Sequence, residues 1–249
     1  MAYYDFLNLI FAPLFKLPVL WVVIILSFII SLIIMVITKY TTNQALMKKL
    51  KEDIKEYQKQ IKELRGNPTK AMEVQKKSMQ LNMQYMTHSL KPTLITFIPI
   101  ILIFGWMSSN FAYDGIKPQQ EFSVSVFFQK NTNGNVELIA PEEIALVVDK
   151  IQKIENDMAT WTLKGQEGEY LLEIAYNNDK QQKSILISNS SKYIEPVKKV
   201  SNSAIKSIGI NYTPKKVLNL FGWKLGWLGT YIMFSIIFTM GLRKLMKVY

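Results

Sequence analysis

The chain has no cysteine, only one histidine, and no charged residue inside any of its three long apolar runs. Without cysteine there is no disulfide framework, no thiolate nucleophile and no cysteine-based zinc site. The single imidazole, His88, stands beside an apolar run with no acidic partner at a readable spacing, which suits a structural residue better than a ligand or a base. Phosphate loops of the form G-x-x-x-x-G-K-[ST], H-E-x-x-H metalloprotease helices and G-x-S-x-G nucleophile elbows are also missing. Intramembrane proteases and ion-coupled transporters use ionisable residues at mid-membrane depth, and three spans give little material for alternating access. The sequence therefore predicts no enzyme, no cofactor and no metal site.

What is present divides sharply into apolar and polar stretches. Residues 19–38 supply about the 20 residues that a bilayer-spanning helix needs, 92–112 form a second such run, and 225–242 a third. The 249 residues carry a formal charge of +11, and its distribution is uneven. Segment 39–91 holds 12 basic and 5 acidic residues, and Arg243, Lys244 and Lys247 follow the last run, whereas 112–216 holds 13 of each sign. Short basic loops stay cytoplasmic, while long domains cross largely regardless of charge. The expected topology is a multi-pass protein of the plasma membrane, with the N-terminus and the large loop outside and the basic segment and C-terminus in the cytoplasm.

Segment 39–91 predicts a cytosolic antiparallel coiled-coil hairpin. Met47, Ile54 and Ile61 repeat every seven residues, as do Leu50, Tyr57 and Leu64, offset by three. Gly66, Asn67 and Pro68 supply a stop, a turn and a new helix start. On the second arm Ala71, Val74, Ser78, Leu81 and Tyr85 continue the seam, with Met72, Met79, Met83 and Met86 forming a further stripe beside it. Methionine is flexible and polarisable, so this stripe suits a surface for apolar partners of varied sequence, or else the filling of the hairpin core. Lys48, Lys49, Lys55, Lys59, Lys62, Arg65 and Lys70 suit ribosomal RNA or anionic lipid headgroups.

The remaining segments follow in order. Residues 1–18 are too short to span and read as an amphipathic piece lying in the outer interface. In 19–38, Ser27, Ser31, Met35 and Thr38 share one face that looks inward, unless the hydroxyls merely bond back to their own helix. Pro92 opens the second span, Pro99 kinks it, Thr96 lies at its inner end, and Trp106 and Tyr113 serve as interface anchors. Residues 113–216 predict an extracytoplasmic β-rich domain, sandwich-like, with strands at EFSVSVFFQ, VELIA, ATWTLKG, GEYLLEIAY and QQKSILIS. Segment 141–157 fits helix as well as strand. Tyr170 resembles the tyrosine corner of immunoglobulin-like domains, and Asn189 and Asn211 match the glycosylation pattern. Segment 217–249 holds the third span, flanked by Trp223 and Trp227 outside, with Ser235 and Thr239 on one stripe, and ends in a basic cytosolic tail.

This layout resembles the YidC/Oxa/Alb superfamily of membrane protein insertases. More closely, it looks like the archaeal YidC-like branch, related to the insertase subunit of the ER membrane complex. The residues that carry the resemblance are QALMKKLKEDIKEYQKQIKEL, MEVQKKSMQLNMQYM and Lys91, Pro92 and Pro99 of KPTLITFIP. The resemblance implies a three-helix groove, here lined by Ser27, Ser31, Met35, Thr38, Thr96, Ser235 and Thr239, that eases passage of polar tails without ATP. It also implies that Met72, Met79, Met83 and Met86 receive nascent membrane proteins, and that the basic arm meets the ribosome. A translocon or other membrane subunits complete the expected partners. Bacterial members carry an arginine in the groove, whereas 19–38 here has no basic residue, and the outer β-rich insertion lies outside the family's minimal core. A cation channel or leak subunit, and a membrane-anchored structural adaptor, are the competing expectations.

Overall fold

The computed structural model describes residues 5–248, apart from the side chains of Asp5 and Arg65, so the first four residues of the expected interfacial segment lie outside it. The chain forms two compact units, one from 1–106 with 217–249, the other from 107–216.

The first unit begins with a short helix, α1 (Asp5–Phe11), and a 3-10 turn (Ala12–Lys16). Trp106 Nε1 donates to Asn8 Oδ1 at 2.7 Å, and the rings of Phe11 and Phe15 lie 4.8 and 5.6 Å from the indole. The first span is α2 (Val19–Thr41), which runs past the expected end at Thr38. Its last hydroxyls, on Thr38, Thr41 and Thr42, donate to the carbonyls of Ile34, Ile37 and Thr38, back-bonding that accompanies the helix to its end. Asn43 then caps α3 (Gln44–Glu63) by accepting from Leu46 N, and Asn67 caps α4 (Pro68–Phe111) by accepting from Lys70 N. Proline at the first position of α4 loses nothing, since that amide has no partner within the helix anyway.

The positions that the repeats and the three-four spacing define are the less exposed ones on α3 and on the first half of α4. On α3 Met47 and Leu50 are buried and Ile54, Tyr57 and Ile61 half-buried, as is Leu64 in the 3-10 turn that follows; on α4 Ser78 is buried and Ala71, Val74, Leu81 and Tyr85 half-buried.

The expected boundary between hairpin and second span is absent. α4 is one helix of 44 residues, about 66 Å long at 1.5 Å per residue, with Pro92 and Pro99 inside it. Each proline removes an amide donor, that for the carbonyl of His88 or of Ile95, and the hydroxyls nearby bond to other carbonyls of the same helix: Ser89 to Tyr85 O, Thr93 to Ser89 O and Thr96 to Thr93 O. The third span also starts later than 225, as α5 (Trp227–Met246). α2 and α5 pack closely, with Phe28 edge-on to Phe238 at 5.4 Å and Met35 in a cluster with Leu242 and Val248. Phe104 of α4 meets Trp227 and Tyr231 of α5 at 5.8 and 4.7 Å.

The second unit contains two antiparallel sheets around one core. Strands β1 (Phe122–Phe128), β2 (Asn135–Ile139), β3 (Ile144–Leu146), β4 (Ile151–Lys153), β5 (Met158–Gly165), β6 (Gly168–Tyr176), β7 (Asp179–Ile187), β8 (Val197–Lys199) and β9 (Ile205–Asn211) form it. Their orders are β3-β5-β1-β9-β8 and β4-β2-β6-β7. Alternation along β5 sends Ala159, Trp161 and Leu163 inward, to meet Leu172 and Ile174 of β6 and Ile185 and Ile187 of β7. Segment 141–157, open between helix and strand, resolves into β3 and β4, one in each sheet. Tyr170 is the third residue of β6, just after the chain passes from the five-stranded to the four-stranded sheet, with its hydroxyl 3.3 Å from the carbonyls of Gln166 and Glu167. Asn189 and Asn211 both spend their side-chain amides on hydrogen bonds, to Glu167 and to Ser123 and Ser125. A last hairpin, β10 (Leu218–Leu220) and β11 (Trp223–Leu225), belongs to the first unit.

Candidate functional site

The surface with the clearest chemical character is on α4. Met72, Met79, Met83 and Met86 are exposed, so they do not fill the hairpin core. At 3.6 residues per turn they lie on the face of α4 turned away from Ala71, Val74, Ser78, Leu81 and Tyr85, not beside that seam as the sequence suggested. Because α4 does not break at Pro92, the same face continues through Leu90, Leu94, Phe97 and Ile101. Spacings along these eight residues are seven, four, three, four, four, three and four, and every one of them is between 50% and 71% exposed. The result is one apolar stripe that begins on a polar arm and ends inside a membrane span. Contiguous exposed apolar surface of this kind marks contact with a partner or with lipid.

The expected groove residues are distributed differently. Ser27, Ser31 and Met35 are buried, and Ser31 Oγ lies 3.5 Å from Thr239 Oγ1, so this stripe is packed between α2 and α5 and does not line open space. Ser27 donates to Val23 O at 2.7 Å, and Ser235, which is half-buried, donates to Ile232 O. The back-bonding alternative therefore holds for Ser27 and Thr38 of the first span. The cause is close approach: small side chains let α2 and α5 come together, and close packing is what drives helix association where lipid supplies no hydrophobic force between helices. Thr96 is buried and edges an apolar crevice between α2 and α4, with Ile30, Ile33, Ile34, Pro99, Ile100 and Ile103.

The basic residues Lys48, Lys49, Lys55, Lys59, Lys62 and Lys70 are all exposed, and Lys48 lies 3.9 Å from Glu52 one turn on. The Arg65 side chain lies outside the described residues. Lys48, Lys55, Lys59 and Lys62 share one face of α3 at spacings of seven, four and three, giving a positive strip. His88 is exposed on α4, beside Met83, Gln84 and Thr87. Among the described residues no group of three or more histidine, aspartate or glutamate side chains is placed to hold a metal ion.

Sequence reasoning missed Leu90, Leu94, Phe97 and Ile101 as part of the stripe, because Lys91 and Pro92 were read as a helix start. The signal was there in the unbroken three-four spacing from Met79 to Ile101.

Residues 8–136, just over half of the chain, match the family described as Integral membrane protein EMC3/TMCO1-like, from within α1 through α4 and into β2. No curated protein and no solved structure matches the chain. With three helices long and apolar enough to cross a membrane and its matching N-terminal half, the chain belongs to the EMC3/TMCO1-like family of integral membrane proteins, within the YidC/Oxa1/Alb3/EMC insertase-related superfamily.

Proposed function

We propose that this protein is a membrane protein insertase of the archaeal YidC-like branch, acting without ATP and without covalent chemistry. The observation that carries the reading is the unbroken apolar stripe from Met72 to Ile101 on one helix. A nascent membrane segment in water leaves each Leu or Phe side chain short of about 1.5–3 kcal/mol of burial free energy. The methionines offer it an apolar track that tolerates varied sequences, and the track leads into hydrocarbon without a polar gap.

The tail that crosses after it carries backbone groups costing several kcal/mol each when unpaired in lipid. Ser27, Ser31 and Thr239 become available to such a tail where α5 draws back from α2, and Thr38, Thr96 and Ser235 extend that path. Attraction of acidic tails by a buried arginine has no counterpart in α2, so the path works through hydroxyls and hydration. In this reading the hairpin and the C-terminus are cytoplasmic, the β-rich domain is outside the cell, and the lysine strip on α3 meets ribosomal RNA or lipid phosphates. Nascent membrane proteins and the ribosome are the partners, with a translocon or other membrane subunits alongside.

The test is photo-cross-linking from Met83, Phe97 and an off-stripe control at Lys77 to ribosome-stalled membrane-protein chains of increasing length. Adducts at Met83 with short chains and at Phe97 with longer ones, with none at Lys77, are expected. Absence of client adducts at both stripe positions in correctly folded protein would overturn the insertase reading.

A further inference from the structure

The hairpin of β10 and β11 is amphipathic in cross-section. Its register pairs Leu218 with Leu225, Asn219 with Lys224 and Leu220 with Trp223. Side chains alternate across a strand, so Leu218, Leu220, Trp223 and Leu225 share one face, and Asn219 and Lys224 the other. The turn is Phe221-Gly222, both at positive φ (50° and 94°), with Gly222 N donating to Asn219 Oδ1. Water-facing turns of this geometry favour Asn-Gly, since asparagine tolerates the left-handed region and hydrates well. Here a phenylalanine occupies the position and is 100% exposed, with Trp223 at 76%.

An isolated two-stranded hairpin is at best marginally stable in water, and this one has an uncovered apolar face. Its neighbour in the chain says what covers it. α5 begins two residues after β11, and Leu225 rests against Gly229 in its first turn. The apolar face of the hairpin is therefore continuous with the start of a helix whose outward residues Leu228, Ile232 and Ile236 are exposed as a lipid-facing surface is. Aromatic side chains at such a depth sit in the headgroup layer, and Lys224 on the opposite face suits lipid phosphates.

We propose that this hairpin is a membrane-inserting element: Phe221, Trp223 and Leu220 enter the interfacial layer of the bilayer that α5 crosses. The bilayer supplies the burial that two short strands lack, and the hairpin fixes the depth at which α5 enters. The proposal rests on the membrane assignment alone and is independent of the insertase reading.

The absence of native cysteine makes the test direct. Single cysteines replace Phe221, Trp223 and, as a water-exposed control in the β-rich unit, Lys130; each carries a nitroxide in full-length protein reconstituted into liposomes. Collision with dissolved oxygen should exceed collision with a water-soluble nickel chelate severalfold at 221 and 223, and the reverse should hold at 130. In a second variant, Phe221→Asn gives the turn that water prefers, and the label at 223 should then shift severalfold towards the chelate. Chelate collisions at 221 and 223 matching those at 130 would overturn the proposal. So would suppression of both collisions, which would place the tip against protein.

Discussion

The hydroxyl of Tyr193 donates to the carbonyl of Ser108 and accepts from the amide of Ala112 at 3.1 Å. Both partners lie at the C-terminal end of α4, where carbonyls run out of amides within the helix. One phenol thus closes the helix end, and its ring packs 5.5 Å from Tyr113 and 5.4 Å from Tyr212. Replacing Tyr193 with Phe keeps the rings together and leaves two backbone groups without this partner. A loss of about 1–3 kcal/mol is expected. Faster hydrogen exchange confined to 108–113 would show it; unchanged exchange there would remove the capping role.

The same cluster sets an alkaline limit on stability. Burial pushes the phenols of Tyr193 and Tyr212 up to about 12, because the charged form loses hydration. A raised folded value means the fold holds the proton more tightly than the unfolded chain does. The stabilisation is therefore complete below about pH 10, the ordinary tyrosine value, and is lost as pH rises through about 12. Unfolding followed from pH 8 to 12 should show a steeper decline above pH 10 in the native protein than in the Tyr193→Phe, Tyr212→Phe double variant. Equal slopes would contradict it.

Gly115 stands where the backbone passes closest to another strand of chain. A Cβ there would lie 2.4 Å from the Lys192 carbonyl oxygen and 3.0 Å from that of Ser190, and backbone cannot swing aside as a side chain can. Gly115→Ala should destabilise the second unit by about 1–3 kcal/mol. Gly66→Ala, with nothing within 4 Å, serves as the control. Thermal unfolding of the two variants side by side decides the point.

Ser31 is buried where α2 and α5 approach, with Thr239 as its neighbour. Ser31→Leu should overpack that contact, at a cost of about 1–3 kcal/mol. Cysteine pairs engineered across α2 and α5 should then cross-link more slowly than in the parent. Unchanged cross-linking with altered ion flux would instead favour a pore along this stripe.

Met83 projects from α4 without supporting the fold. Met83→Asp should therefore change stability by no more than about 0.5 kcal/mol. It should also weaken client cross-linking from neighbouring stripe positions about tenfold or more, as expected when about 1.5–3 kcal/mol of methionine burial is forfeited. A variant with full client cross-linking would show that clients take another route.

How much was legible beforehand varies with the range of the interaction involved. Asn67 and Pro68 mark a helix start through local backbone chemistry, and the seven-residue spacing from Met47 to Ile61 marks the less exposed side of α3, whereas the helix start at Asn43 went unread. Strands β1, β2, β5, β6 and β7 were readable from period-two alternation. β8 and β9 were not, since Val197–Lys199 is short and Ile205–Asn211 carries Lys206, Ser207 and Gly209 among its isoleucines. The boundary expected at Pro92 is absent because a proline penalty is local, the loss of one hydrogen bond and a clash one turn back, while the helical pattern continues on both sides of it.

The sequence by itself determined the three helices long and apolar enough to cross a membrane, the less exposed side of α3, the basic strip and the β-rich character of 113–216, because length, hydropathy and periodicity act within a few turns of chain. Only the tertiary structure decided that Ser27, Ser31 and Met35 pack against α5, that β3 and β4 go to different sheets, and that Met72 to Ile101 form one exposed stripe. Those outcomes depend on which surfaces meet and which remain uncovered, and burial between segments distant in the chain has no local signature.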